Sequence, residues 1–457
     1  MQIMECAKIA QLANGTIIGQ RPYPSISSIT IDSRQVEPGA LFVALAGQAQ
    51  DGHDFILEAF GQGATAALVA SRHAHRIKAR LGDQPKILIV VDDPLKALQR
   101  MAAAYVQMHN GIKKIGITGS CGKTTTKEML ASILSLVGKT AKTPGNMNSE
   151  IGLPISMFEI QNDTEFGIFE MGVDHVGEMD RMLNIWRPEV ALITNIGLSH
   201  VGKMGSTQVI AKEKSKVFHP DVEEAFMIEN SAWTPYIQKV RNIEARAYGM
   251  VGTKGLGRIV SLGLHGWQIS YNGVLIHLHA VGKHNLMDAI AAISVAQVMG
   301  ATTSQIADGL EQFSAVPGRS RIINGSVTVI EDWYNSSVDS TNTILDYMAT
   351  LPWQGRKLAV LGSMKELGVA TEDAHVHVAH KLLAANLDDV YLYGKEMEKA
   401  WMEMRKMGFT KNVFFTDDYD ELQKRMITDT HKGDLILLKG SRAMAMERLI
   451  PVLTSIA

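Results

Sequence analysis

The stretch from Lys113 to Glu128, KKIGITGSCGKTTTKE, constrains this chain more than any other. An apolar run enters a glycine-rich turn, which passes through Gly122-Lys123-Thr124 straight into a helical pattern. That arrangement is a phosphate-binding loop. Glycines let backbone N–H groups approach phosphate oxygens closely, and the helix N-terminus adds partial positive charge. Lys123 then reaches the outer phosphates, and the Thr124 hydroxyl can ligate Mg²⁺. Thr118, Gly119, Ser120, Cys121 and Thr125 complete the loop. Ile117 stands where the full pattern has its first glycine, and Gly119 takes over the turn. A chance GKT is common, but one set between a strand and a helix is much less so. The expected ligand is a nucleoside triphosphate.

Around the loop, residues 93–318 alternate strand-like and helix-like runs. Ile115–Thr118, Phe166–Glu170 and Ala191–Asn195 read as strands, with a helix over Lys123–Val137. Such alternation predicts a parallel sheet covered on both faces. Residues 1–92 mix short apolar stretches (Ser28–Ile31, Ala40–Leu45, Lys86–Val91) with turns such as Glu37-Pro38-Gly39-Ala40 and read as a small α/β unit. Residues 319–457 carry a second series, Val327–Glu331, Lys357–Leu361, Asp389–Tyr393 and Asp434–Leu438. Its last three strands run into Gly362, Gly394 and Gly440, which predicts a compact Rossmann-like unit. A chain of 457 residues is long enough for about three such domains.

Composition excludes several function classes. Hydrophobic content is 46%, charged content 20% and formal net charge −2, so neither nucleic acid nor an anionic membrane is an expected partner. No leader pattern and no apolar run of membrane-spanning length occurs. Cys6 and Cys121 are the only cysteines, which argues against a disulfide framework. The expected location is the cytoplasm, and the expected oligomeric state is a monomer.

Ligands of open parallel sheets sit beyond the carboxyl ends of the strands. Glu170 lies there, either holding Mg²⁺ or capping the next helix. Asn195 ends a neighbouring strand, and His200 follows in Gly197-Leu198-Ser199-His200 as a metal ligand or a structural histidine. Ser206 can cap a helix over Thr207–Phe218, on which Ile210, Lys214, Val217 and Phe218 share one face. Lys214 thus falls in an apolar stripe. It either snorkels outward or is desolvated, and a desolvated lysine of lowered pKa can react with CO₂ to give a metal-binding carbamate. Gly282-Lys283-His284-Asn285 opens a helix rich in small residues, Leu286–Met299. Pro317-Gly318-Arg319 and Asp332-Trp333-Tyr334-Asn335 flank the start of the third region.

Taken together these pieces resemble the Mur ligases, the ATP-dependent amide-forming family of peptidoglycan precursor synthesis. The resemblance spans the chain. It rests on TGSCGKTTTKEM, on TPGNMNSEIGLP (Thr143–Pro154), on EMG (Glu170–Gly172) and on TNIGLSH (Thr194–His200). The lysine-bearing helix at Ala211–Phe218, GKHN (Gly282–Asn285) and PGR (Pro317–Arg319) extend it. Four segments are similar to the branch that adds D-alanyl-D-alanine to UDP-N-acetylmuramoyl-tripeptide. These are ITIDSRQVEPGALFVALAGQAQDGHDF (Ile29–Phe55), EDWYNSSVDST (Glu331–Thr341), VLGSMKELG (Val360–Gly368) and LLKGSR (Leu437–Arg442).

The resemblance implies that ATP phosphorylates the tripeptide carboxylate and that the dipeptide amine then displaces phosphate. It implies that Thr124 and Glu170 hold one Mg²⁺, and that His200 and carbamylated Lys214 help hold a second. Asn285 is implied near adenine, and Arg319 with Asp332 at ribose and phosphates. Ser33 and Arg34 are implied at the uridine end, and Asn148, Tyr334 and Asn335 at the other substrates. Domain closure is expected to assemble the site and exclude water. The chain departs from the family pattern at Asp288 (usually Asn), at Ser336-Ser337-Val338, at Ser363, at Ser149, at Lys216 and at Lys203-Met204. None of these removes an inferred phosphate or metal group. The branch that adds the third amino acid carries a DNPR motif absent here, and folylpolyglutamate synthetase lacks the N-terminal region. A P-loop switch or regulatory module would leave a metal-carbamate lysine and two further domains without a purpose.

Overall fold

A computed structural model describes residues 1–47, 50–409 and 411–455. Gln48 and Ala49, inside the Ile29–Phe55 segment, lie outside the described residues. The phosphate-loop strand, Lys113–Thr118, sits inside a six-stranded sheet that is parallel throughout. The order is Arg246–Tyr248, Glu224–Ile228, Val190–Ile193, Lys113–Thr118, Phe166–Glu170, Thr140–Lys142. Alternate residues of these strands feed two separate cores. Ile115, Ile117, Ile168 and Leu192 pack with helices Lys123–Leu134 and Gly282–Val298. Phe169, Ala191, Ile193 and Met227 face the opposite cluster. That is the signature of a sheet covered on both sides, and it explains the near-continuous apolar runs. Register pairs Glu170 with Ile117 and Ile193 with Thr118, so all three strands end at one sheet edge.

The third region forms a six-stranded sheet in the order Arg321–Asn324, Thr328–Asp332, Leu435–Lys439, Lys357–Gly362, Asp389–Tyr393, Asn412–Thr416. Only the first pairing is antiparallel. The first region forms a five-stranded sheet with four parallel strands, Ser28–Thr30, Ala40–Val43, Ala66–Ala70 and Ile87–Val91, and antiparallel Thr16–Ile18. Helix Pro94–Gln107, capped by the Asp93 side chain on Lys96 N–H at 3.1 Å, packs on both Cys6–Ala13 and Gly152–Ser156. The first and central sheets therefore share one apolar cluster. Among the described residues, no helix is long and apolar enough to cross a membrane.

Several expected boundaries shift. The strand expected over Ala191–Asn195 ends at Ile193, because Thr194 and Asn195 fold over the phosphate loop. The helix expected to reach Val137 ends at Leu134, and the one expected to reach Phe218 ends at Lys214 and tightens into a 3₁₀ turn over Ser215–Val217. The helix expected from Leu286 begins earlier, at Gly282. Strands expected at Val327–Glu331 and Asp434–Leu438 each lie one residue further on. An antiparallel meander over Leu256–Ser261, Trp267–Tyr271 and Val274–Leu278 interrupts the alternation. Its second hairpin turns at Asn272-Gly273, both with positive φ (46° and 83°), the conformation that Asn-Gly favours between strands.

Candidate active site

The three central strands converge on a cavity of roughly 450 Å³ lined from both the central and the third regions. Two glycines shape the loop beneath it. Gly119 (φ +149°) leaves no room for a Cβ beside the Thr194 hydroxyl, and Gly122 (φ +83°) leaves none beside Asp288 Oδ1. Asn195 Oδ1 braces the turn by accepting from the N–H of Ser120 (3.1 Å) and Cys121 (2.9 Å). Ser120, Cys121, Gly122, Lys123, Thr124 and Thr125 line the cavity, whereas Thr118 and Gly119 lie beneath it. Thr118 is fully buried and donates to Met171 O at 2.6 Å. Lys123 Nζ donates to Gly119 O at 2.7 Å, and burial depresses its ammonium below the usual lysine range.

Glu170 is completely buried beside the loop. Its Oε2 accepts from the Thr124 hydroxyl (3.1 Å) and from Asn148 Nδ2 (3.0 Å). Oε1 lies 3.2 Å from Lys127 Nζ as an ion pair, yet no aligned donor reaches it. A buried carboxylate oxygen lacking a donor, beside a threonine hydroxyl, is the hard oxygen donor set that Mg²⁺ takes. Lys127 Nζ also donates to Thr143 O (2.7 Å) and Gly145 O (3.3 Å), tying the Thr143–Asn148 loop to Glu170.

Lys214 takes the buried alternative. It is 1% exposed, between Ile210 and Val217 at 0% and near Phe218 at 2%. Among the described residues its ammonium makes no hydrogen bond and no ion pair. Desolvation, then the nearby Lys123 charge, pull its pKa from 10.5 to about 7. The Ser206 cap that sets this helix is present, with its hydroxyl accepting from Val209 N–H at 3.3 Å. His200 lies close enough to Lys123 and Lys214 for both to lower its pKa, after burial. Its Nδ1 is 2.7 Å from Glu366 Oε2 of the third region, without hydrogen-bond alignment. Both residues hold left-handed φ (63° and 66°), a strained backbone that the interdomain contact stabilises.

From the third region, the Arg319 guanidinium lies 4.2 Å over the Tyr334 ring. Asp332 accepts from Lys439 Nζ (2.6 Å) and from the Ser320 hydroxyl (3.1 Å). Burial raises its carboxyl pKa, but the Lys439 charge and these hydrogen bonds outweigh burial and hold it below the usual range. Asn335 O accepts from the same Lys439 Nζ at 3.2 Å. Arg319, Asp332, Tyr334 and Asn335 line the cavity together with Asn148, His200 and Asn285. Asn285 is fixed by its own Nδ2 donating to Val281 O at 2.8 Å. Glu170 and Lys214 are buried behind the cavity wall. Ser33 and Arg34 lie apart, on the first sheet, bonded to Glu58 and Asp32.

Three family models match this chain: the Mur ligase family catalytic domain over residues 25–106, the Mur ligase middle domain over 117–296, and the Mur ligase glutamate ligase domain over 318–442. The UDP-N-acetylmuramoyl-tripeptide–D-alanyl-D-alanine ligase of Treponema pallidum is 34% identical over 97% of both chains. That of Bacillus subtilis is 33% identical over 97% of this chain and 96% of its own. The chain belongs to the Mur ligase family. A crystal structure of MurF from Acinetobacter baumannii superposes with a TM-score of 0.85 at 28% identity, covering 99% of each chain. MurF from Thermotoga maritima, solved in complex with ADP, gives 0.76 at 27% identity over 93% of this chain and 97% of its own.

Sequence reading of this Mur ligase missed four groups that the fold brings to the site. Lys127 recurs one helical turn after Lys123, a spacing that could have flagged it. Lys439 stands inside LLKGSR, at a strand end. Tyr248, whose hydroxyl donates to Thr194 O at 2.8 Å, and Glu366, which meets His200 across the domain boundary, left no local signal.

Proposed function

We propose that this chain is an ATP-dependent ligase that joins D-alanyl-D-alanine to UDP-N-acetylmuramoyl-tripeptide, in the compartment that holds ATP, the cytoplasm. The observation that carries the reading is one cavity in which a phosphate loop with a half-buried lysine, backed by a buried carboxylate, faces charged groups of the third region. A carboxylate is a poor electrophile, so it must be activated before an amine can attack. ATP transfers its γ-phosphoryl group to the terminal carboxylate of the tripeptide, leaving ADP and an acyl phosphate. The free amine of the dipeptide adds to that carbonyl, loses a proton, and the tetrahedral intermediate expels phosphate.

Each step places negative charge on phosphoryl oxygens, which is where Lys123 and the loop N–H groups act. Thr124 and Glu170 would hold one Mg²⁺, and His200 with carbamylated Lys214 a second. When bound, Mg²⁺ supplies charge neutralisation and orientation of those oxygens. An amine with a pKa of about 7 is substantially unprotonated at neutral pH, which is the form that adds CO₂. Asn285 and Arg319 would position the nucleotide, and Asn148, Tyr334 and Asn335 the peptide substrates. Ser33 and Arg34 would meet the uridine end. The His200–Glu366 contact holds the central and third regions together over the cavity, which keeps water from the acyl phosphate. The protein is read as acting as a monomer.

The test is phosphate release from ATP with Mg²⁺, with the muramoyl-tripeptide and D-alanyl-D-alanine omitted in turn. Release that requires both, with a mass gain equal to the dipeptide, is expected. Release indifferent to both would overturn the reading in favour of a simple nucleotide hydrolase.

A further inference from the structure

Asp288 is a buried acid in the path of an anion. It lies in the second turn of helix Gly282–Val298 and is 8% exposed. Its Oδ1 stands against Gly122, where the phosphate loop turns into its helix, so closely that a Cβ there would collide with it. It lines the nucleotide cavity beside Thr125, Tyr248, Asn285 and Arg319.

The groups that face it leave its charge uncompensated. From the loop helix comes the Thr126 hydroxyl, and from the third region Arg319, acting at a distance. Among the described residues Asp288 forms no ion pair. Tyr248 faces it with a hydroxyl already donated to Thr194 O. On its own helix, His284 is held neutral by burial and is bonded to Ser320, and Lys283 lies a further residue back. The other charged cavity groups serve elsewhere: Lys123 on Gly119 O, Lys439 on Asp332, His200 on Glu366 and Asp339 on Leu198 N–H. Burial accordingly raises the carboxyl pKa from 3.8 to about 8, against the smaller opposing pulls of Thr126 and Arg319.

A carboxylate in this position would repel the triphosphate that the loop is shaped to hold. An uncharged carboxyl group has no such repulsion and offers both a donor and an acceptor. We propose that Asp288 is a proton gate on the nucleotide site: nucleotide binds to the form bearing the uncharged acid, and binding to the ionised form takes up one proton from solvent. The O–H bond formed on the carboxylate is balanced by a buffer acid losing that proton. The proposal rests on the reading that the cavity binds ATP.

The test is calorimetric titration of the full chain with ADP and Mg²⁺ at pH values from about 7.5 to 9.5, spanning the raised carboxyl pKa. Each titration is run in two buffers of different protonation enthalpy. The expected result is a dissociation constant that rises above about pH 8, approaching tenfold per pH unit, with proton uptake rising toward one per nucleotide. Asp288→Asn, which keeps the shape, is expected to bind with a flat profile and no uptake tied to this step. A flat wild-type profile, or the same rise in Asp288→Asn, overturns the proposal. The buffer dependence of wild type decides the matter even where the variant fails a melting check. Failure to bind ADP at every pH overturns this proposal and the nucleotide reading together. Binding without pH dependence overturns only this one, because ligation is assayed separately by phosphate release.

Discussion

Two mouths of parallel sheet in this molecule treat their polar groups in opposite ways. At the carboxyl edge of the first sheet, every group singled out already has a partner. Ser33 donates to Glu58 (3.1 Å), and Arg34 grips both Asp32 oxygens (2.8 and 2.7 Å). His53 donates from Nδ1 to Asp51 (2.6 Å) while its Nε2 accepts from Ala70 N–H (3.0 Å), so both ring nitrogens are used. At the central sheet the groups are left wanting. Among the described residues, Lys214 has no acceptor, Glu170 Oε1 has no aligned donor and Asp288 has no paired cation. Buried polar groups without partners destabilise a fold, so their concentration at one edge marks the place where ligands complete the structure. The satisfied edge is the one proposed to meet the uridine end, and a substrate there finds groups that already have partners.

The largest effect that could break this contrast is at Lys123. Lys123→Ala is expected to lower phosphate release by ~10³-fold or more, since Lys123 is the one cation in the loop sequence from Gly119 to Thr125. Turnover within about tenfold of wild type would move the chemistry away from the central edge.

Lys214 sharpens the contrast because its two roles should separate. Lys214→Met is expected to lower turnover by ~10²-fold or more, with partial rescue by short carboxylates standing in for the proposed carbamate. The same change is expected to stabilise the fold in CO₂-free buffer. In wild type the folded-state pKa is about 7 against 10.5 for an ordinary lysine. Between those values the unfolded chain binds the extra proton, so wild-type stability falls as pH drops from 10.5 to 7. The difference amounts to at most about 4–5 kcal/mol. Denaturant unfolding should therefore show Met ahead of wild type at pH 7, with the gap closing as pH rises. A variant that loses stability at every pH would mean that Lys214 is a packing element and not a strained functional group.

How much of this was legible beforehand follows from how local each signal is. The loop, the strand-end Glu170 and the apolar stripe around Lys214 are written in consecutive or helically spaced residues, and the fold places them as read. Asp389–Tyr393 matches residue for residue, because a short apolar run ending at glycine leaves little freedom. The apolar run predicts Asn195 at the end of a strand, but its side chain competes for the loop N–H groups and pulls the chain out of the sheet two residues early. The Asn272-Gly273 hairpin carried its signal openly, yet it sat among helix-and-strand alternation that suggested only parallel pairing. Glu366 and Lys439 act across the domain boundary, and no spacing within one element encodes that distance.

Lys127 tests whether the central edge is built by the loop helix alone. Its ammonium is fully buried, 2.9 Å from Glu128 Oε1 and 3.2 Å from Glu170 Oε1, and it holds the Thr143 and Gly145 carbonyls. Lys127→Met leaves two acids and two carbonyls short of a cation. The expected outcome is a ~10-fold to 100-fold loss of turnover with a raised Mg²⁺ requirement, since Glu170 is no longer oriented. A loss of stability with an unchanged Mg²⁺ requirement would reduce Lys127 to a structural tie.

The smallest effect belongs to the satisfied edge, and its size is the point. Arg34 is 82% exposed on its side chain and, among the described residues, its side chain bonds only to Asp32. An exposed pair of this kind adds little to stability, because water competes for both partners and salt screens them. An anionic substrate meets a guanidinium whose charge Asp32 already partly neutralises, so the added interaction is weaker than a free arginine would give. Arg34→Ala is therefore expected to raise KM for the muramoyl substrate a few-fold, with kcat and melting temperature unchanged, and added salt should erase much of the difference. Asp32→Asn should act in the opposite direction, lowering KM by freeing Arg34 from its competitor. A large fall in kcat for Arg34→Ala would mean that the first sheet reaches the reacting atoms, and the two edges would then form one chemical site.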